Sequence, residues 1–207
     1  MTEVVASGAP GVVDRVAALL DAGEVVVVPT DTVYGLAARP DLAGAAARLF
    51  ALKGRGATVP VAVLCHDAAQ ALDLAEDPTG RGARLAAALW PGPLTLVLPR
   101  RPGPVLHLGE PAGTVGLRCP DHDLVRALAA RVGPVAATSA NRHGELPVAG
   151  AAEAVEVFGE AVALVVDGGP APGTASTVVD LTVEPWVVRR EGPITRADLE
   201  QHLTFDV

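Results

Sequence analysis

At 207 residues, half of them apolar and 19% charged, the chain has a folded globular composition with room for one large domain, or at most two small ones. A formal net charge of −8 argues against a broad nucleic-acid-binding face and leaves room only for a local basic groove. Cys65 and Cys119 stand in no ligand pattern, which argues against a disulfide framework or structural zinc. No apolar run approaches the roughly 18–20 residues of a membrane span, and the N-terminus lacks a signal-peptide pattern, so a cytoplasmic protein is expected.

In chain order, Val12 to Ala22 has apolar residues at helical spacing, and Gly23 makes a natural stop. Val25 to Val28 cannot alternate apolar and polar, so it reads as a strand covered on both faces, ended by Pro29. The turn Thr30-Asp31-Thr32 follows, then Tyr34 and Gly35. Such a turn lies outside the carboxyl end of its strand, where ligands bind in open α/β sheets. It is equally an ordinary Asp/Thr turn. Asp41 is expected to cap a helix running to Lys53-Gly54-Arg55-Gly56. Pro60 to Cys65 reads as a strand, Asp67 to Ala75 and Gly82 to Trp90 as helices, and Leu94 to Leu98 as a strand after the rigid corner Trp90-Pro91-Gly92-Pro93.

Arg100 to Pro111 is rich in Pro and Gly and is expected to form a mobile loop. Strands follow at Thr114 to Arg118 and Pro134 to Ala137, around a helix from Asp121 to Val132. Thr138-Ser139-Ala140-Asn141 is a second polar strand end. Ala151 to Phe158 reads as a helix and Ala163 to Val166 as a strand. After the loop Gly168 to Gly173 come strands at Thr177 to Leu181 and Trp186 to Arg189, then a short helix from Thr195. Interleaved strands and helices make the chain α/β, and the tight connection between the last two strands requires a mixed sheet. No internal repeat or long linker divides the chain.

Rare residues give the sharpest functional signal. Lys53 is the only lysine among sixteen basic residues, Asn141 the only asparagine, Tyr34 the only tyrosine, and Ser139 and Ser176 are two of three serines. All lie at strand ends or in loops beside Gly or Pro, where sites are assembled. A lysine retained where Arg is otherwise used suggests a need for a compact ammonium. Lys53-Gly54-Arg55 reads as an anion clamp, or as cations favoured at a helix C-terminus. Arg118 and Arg190, each at a strand end, could add charge to one pocket. No P-loop, GxGxxG or HExxH pattern is present.

Seven ordered motifs carry a resemblance: PTDTVYGL (Pro29 to Leu36), KGR (Lys53 to Arg55), LWPGPLTLVL (Leu89 to Leu98), VGLRCP (Val115 to Pro120), TSAN (Thr138 to Asn141), STVVD (Ser176 to Asp180) and RREG (Arg189 to Gly192). Together they resemble the YrdC-like family of threonylcarbamoyl-AMP synthases over about Val12 to Ile194. The resemblance implies one domain over 1–207, lacking the extra C-terminal domain of longer relatives. It implies a twisted mixed sheet flanked by helices around a large concave cavity. The implied reaction joins L-threonine, bicarbonate and ATP into threonylcarbamoyl-AMP and pyrophosphate. Mg²⁺ would accompany ATP, and the product would pass to a tRNA threonylcarbamoyl transferase.

Residue by residue, the family's KxR and SxN signature falls on Lys53, Arg55, Ser139 and Asn141. Its threonine-binding positions fall on Thr32, Arg118 and Ser176, and its ATP-binding positions on Arg55, Thr114, Ser139 and Arg190. Gly56 replaces the Pro that follows KGR in many relatives, and Pro147 stands where some have Ser. Two rivals remain at this level: a structured-RNA-binding module, and a relative that kept the fold without synthase activity. Scarce aromatics and the absence of a basic stripe count against the first, and the complete signature counts against the second.

Overall fold

A computed structural model describes residues 2–54, 56 and 59–203. In chain order the elements are β1 (Glu3–Ala6), α1 (Val12–Asp21), β2 (Val26–Val28), β3 (Gly35–Ala38), α2 (Ala43–Lys53), β4 (Ala62–Leu64), α3 (Ala68–Leu72) and α4 (Arg81–Leu89). There follow β5 (Leu94–Pro99), β6 (Thr114–Arg118), α5 (Asp123–Val132), β7 (Val135–Ser139), α6 (Ala151–Phe158), β8 (Leu164–Asp167), β9 (Thr177–Asp180), β10 (Val187–Arg190) and α7 (Arg196–Leu203).

The ten strands form one sheet in the order β1-β8-β2-β3-β7-β4-β6-β5-β9-β10. It is mixed, as expected: β1 and β2 run parallel to β8, β4 to β6, and β5 to β9. The other pairings are antiparallel. All three residues of β2 are buried, as its unbroken valines require. The polar turn after Pro29 is a hairpin connection, because β3 folds back antiparallel on β2 and then pairs with β7.

Alternation along the strands sends successive side chains to opposite faces. On one face, Val27, Leu36, Val63, Leu117 and Ala136 pack under α2 and α6, while Leu94, Leu96 and Val179 pack with α4 and α7. On the other, Val28, Ala37, Val135 and Leu164 are covered by α1 and α5. Those two helices cover only one end of that face. Over β4, β6, β5 and β9 it is left open, and there the sheet forms a concave floor.

One local expectation fails, and one stretch is held by more contacts than its composition suggests. Asp41 does not cap α2: the N-cap is Leu42, with no side-chain cap, and Asp41 instead pairs with Arg39 at 2.7 Å. The Arg100 to Pro111 stretch is irregular but anchored. Arg100 donates to the carbonyls of Leu106 (3.1 Å) and Pro104 (2.8 Å), His107 N donates to Pro40 O (2.7 Å), and Leu106 and Leu108 are buried. A loop with two buried leucines and an internal Arg clamp is a packed wall of the fold.

Candidate active site

The open face holds a cavity of about 310 Å³. Its floor is the row Ala137–Ala62–Gly116–Val97, adjacent residues on β7, β4, β6 and β5. Small side chains here leave the room that larger ones would fill. Thr32, Thr114, Arg118, Ser139, Ser176 and Arg190, all expected site residues, line it. Lys53 and Asn141 stand behind Ser139 in contact with it or its neighbours, and Arg55 lies outside the described residues.

Three strand ends deliver the polar groups. The first is the turn after β2, where Thr30 Oγ1 donates to Val33 O at 2.6 Å and lies 3.0 Å from Thr32 Oγ1. This closes the turn and aims Thr32 at the cavity. The second is the end of β6, where Arg118, 5% exposed, is held on three sides. Its Nη2 donates to Asp31 Oδ1 at 2.6 Å, Nη1 to Thr32 Oγ1 at 2.8 Å, and Nε to Gly92 O at 3.1 Å. The Trp90-Pro91-Gly92-Pro93 corner therefore serves as scaffold: it carries the Gly92 carbonyl onto this guanidinium. Burial pulls Arg118 down from its ordinary value, and the Asp31 carboxylate opposes that.

The third is the end of β7. Lys53 Nζ donates to Ser139 O (2.7 Å), Ser139 Oγ (3.0 Å) and Asn141 Oδ1. Asn141 Nδ2 in turn donates to the carbonyls of Arg142 (2.8 Å) and Glu145 (2.7 Å). Lys53 is 3% exposed, so the helix-end reading of a solvated charge does not hold. Gly54, at φ 66°, takes the left-handed conformation that ends α2 directly after Lys53.

The far wall is the β9–β10 hairpin. Arg190 Nε donates to Ser176 O at 2.9 Å and Nη2 to Ser176 Oγ at 3.0 Å. Gly192 allows this closure, since a Cβ there would collide with the Ala175 carbonyl and the Thr177 nitrogen. Among the described residues Arg190 makes no ion pair; burial and the neighbouring Arg118 both pull it below its ordinary value.

Among the described residues, none lining the cavity is a carboxylate and no group of three or more His, Cys, Asp or Glu could hold a metal ion. Both cysteines are free and buried, and burial pushes both thiols up, so neither is an activated nucleophile. What the arrangement can do is gather anions against fixed cations and hydroxyls.

Three features escaped the sequence reading: Asp31 as the partner of Arg118, the Gly92 carbonyl, and Thr95. Thr95 lines the cavity and lies 2.9 Å, oxygen to oxygen, from Ser176. Its only signal was a lone hydroxyl in a run of leucine and valine.

The family model Sua5/YciO/YrdC, described as telomere recombination, matches residues 18–192. A relative from Mycobacterium tuberculosis is 39% identical over 197 residues, covering 95% of this chain and 90% of its own length. The threonylcarbamoyl-AMP synthase of Bacillus subtilis is 38% identical over 90% of this chain, which spans 55% of that protein. The crystal structure of Pyrococcus abyssi Sua5 complexed with L-threonine superposes with a TM-score of 0.91 at 32% identity, covering 98% of this chain and 61% of the Sua5 chain. No helix among the described residues is long and apolar enough to cross a membrane. Sequence and fold agree, and the chain belongs to the Sua5/YciO/YrdC family.

Proposed function

We propose that this cavity joins L-threonine, bicarbonate and ATP into threonylcarbamoyl-AMP with release of pyrophosphate. The chain is then a nucleotidyltransferase serving the first step of tRNA threonylcarbamoyladenosine formation. The observation that carries the reading is the convergence of Arg118 and Arg190 on one cavity with no lining carboxylate among the described residues, with Lys53 bracing Ser139 behind its edge. Carboxylated threonine and ATP are both anionic and repel each other unless fixed cations hold them together.

In this reading Arg118 binds the threonine carboxylate, with Thr32 and Ser176 beside it. Its three protein contacts fix the plane of the guanidinium, so the substrate is oriented as well as attracted. Thr114, Ser139 and Arg190, together with Arg55, hold ATP. Lys53 fixes Ser139 and Asn141 and places a buried positive charge behind the strand end. A carbamate oxygen attacks the α-phosphorus, a new P–O bond forms, the bond to the β-phosphate oxygen breaks, and pyrophosphate carries the charge away. The cation set stabilises charge building on the α-phosphoryl oxygens.

Magnesium fits this site only as a companion of the nucleotide, since the lining offers hydroxyls and no carboxylate cage. Bound that way, it would neutralise phosphate charge. The product would pass in the cytoplasm to a transferase that modifies an adenosine beside the tRNA anticodon. The test is incubation with ATP, bicarbonate and threonine, with mass detection of the mixed anhydride. Its absence under conditions where ATP and threonine both bind and bicarbonate is present would overturn the reading.

A further inference from the structure

Tyr34 is the only tyrosine of the chain, and the reaction proposed above gives its hydroxyl no task. Its side chain is fully buried in the core. The hydroxyl reaches the loop that joins β8 to β9, donating to Gly169 O at 2.6 Å and accepting from Gly168 N at 3.1 Å. Burial pushes this hydroxyl up from its ordinary value, so it keeps the proton it donates. Gly168 and Gly169 are both exposed, so water would satisfy their backbone groups in its place. Folding alone therefore gains little from the hydroxyl, and what it adds is the position of the loop.

That loop walls the amino-acid end of the cavity. It lies against the turn that carries Thr32: a Cβ on Gly168 would meet Pro29 at 2.7 Å, and Gly173 N donates to Thr32 O at 2.9 Å. Between those two points Ala171 N donates to Ala149 O at 2.9 Å. The loop then runs into Ala175 and Ser176, which line the cavity. The main chain of Tyr34 has a separate duty, since its carbonyl accepts from Ala140 N at 2.7 Å and holds the end of β7 beside Ser139. One residue thus serves both ends of the cavity, the amino-acid end by its side chain and the nucleotide end by its backbone.

We propose that Tyr34 is a positioning residue for the amino-acid substrate, its hydroxyl seating the 168–175 loop on the Thr30-Asp31-Thr32 turn and closing the wall between Thr32 and Ser176. The inference rests on the synthase reading, which puts the amino acid beside those two hydroxyls. Without the Tyr34 hydroxyl, the backbone ties of the loop to Ala149 and Thr32 hold it alone, so it opens more often and threonine escapes faster. ATP is held elsewhere: the backbone tie to Ala140 survives, and Ser176 stays fixed to Arg190 and Thr95 from the β9 side.

Tyr34→Phe tests this, because it removes the hydroxyl and keeps the ring and the carbonyl. Hydrogen exchange of single amides is followed by NMR, and binding of L-threonine and of ATP with magnesium by calorimetry. Exchange at Ala171 and Gly173, whose bonds are not to Tyr34, should accelerate about tenfold more than at Ala140, whose bond is kept. The threonine Kd should rise about fivefold, with the ATP Kd within roughly twofold. Gly168→Ala keeps the hydroxyl but pushes the loop off Pro29, and should weaken threonine binding by a similar factor. The double variant should lose less than about twofold more than either single one, because both changes unseat the same loop. Unchanged threonine affinity in Tyr34→Phe overturns the proposal. So does equal weakening of threonine and ATP, which marks a purely structural role, and so do losses that multiply in the double variant. If the unmodified protein binds no threonine, the synthase reading fails and the amino-acid role with it, while the exchange data still decide whether Tyr34 seats the loop.

Discussion

Arg118 and Arg190 face the same cavity and repel each other, yet the fold holds them in opposite ways. Arg118 is buried, paired with the Asp31 carboxylate and fixed by two further acceptors. Arg190 is partly open to solvent and, among the described residues, bonds only to the neutral oxygens of Ser176. The pair Asp31–Arg118 is nearly neutral and rigid, suited to reading the shape of a small amino acid. Arg190 keeps its charge unopposed, suited to a polyphosphate that needs field more than fit. Lys53 donates to the oxygens of Ser139 and Asn141 and so sets the geometry of the third strand end.

The largest effect is expected at Lys53. Lys53→Arg keeps the charge but puts a larger planar group in a buried position, and displacement of Ser139 should lower kcat about 100-fold. The melting temperature should fall too, since the site is packed. Near-normal turnover would show that Lys53 is only a filler behind the strand end.

Arg190→Ala should come next. Loss of an uncompensated cation should raise the ATP KM roughly 30-fold, the worth of about 2 kcal/mol from charged hydrogen bonds, and move the threonine KM much less. ATP affinity of the unmodified protein should also weaken as salt rises. Equal changes in both KM values would dissolve the division between the two ends.

Asp31→Asn should act on the other end. It keeps an acceptor for Arg118 but removes the charge that fixes it, so the threonine KM should rise roughly fivefold, about 1 kcal/mol, with the ATP KM unchanged or lower. A higher ATP KM with unchanged threonine use would reverse the assignment.

The smallest effect concerns the hairpin that carries Ser176 and Arg190. Burial pushes the Asp180 carboxyl up, but hydrogen bonds from Thr182 and the Arg189 guanidinium outweigh it and hold the group below its ordinary value. A carboxyl lowered in the folded state adds stability above its unfolded value, near about 4, and loses it as pH falls through the folded value. Melting temperature measured from neutral pH downward should therefore drop on acidification, and Asp180→Asn should flatten the drop. An identical pH profile in the variant would remove Asp180 from the account.

What the sequence made legible was local. Thr114–Arg118 was readable as a strand and Val12–Asp21 as a helix because their patterns and stops lie within the segments. β3 was not, because Gly35-Leu36-Ala37-Ala38 has little strand propensity and owes its conformation to pairing with β2 and β7. β1 likewise depends on β8, more than 150 positions away in sequence. Asp41 had the residue type of a cap, but Arg39, which also pairs with Asp21, drew it into a surface ion cluster. For the site, unusual residue choice pointed to Lys53, Ser139, Asn141 and Ser176. Asp31 and Thr95 are common residue types in ordinary settings, and only the three-dimensional pairing reveals them.

The central claim is that this cavity unites an amino acid with a nucleotide, and pyrophosphate release under single omissions tests it most directly. With ATP, bicarbonate and L-threonine all present, pyrophosphate should appear at a rate that collapses when either threonine or bicarbonate is left out. Equal release from ATP alone would contradict the account and leave a nucleotide-hydrolysing site in its place.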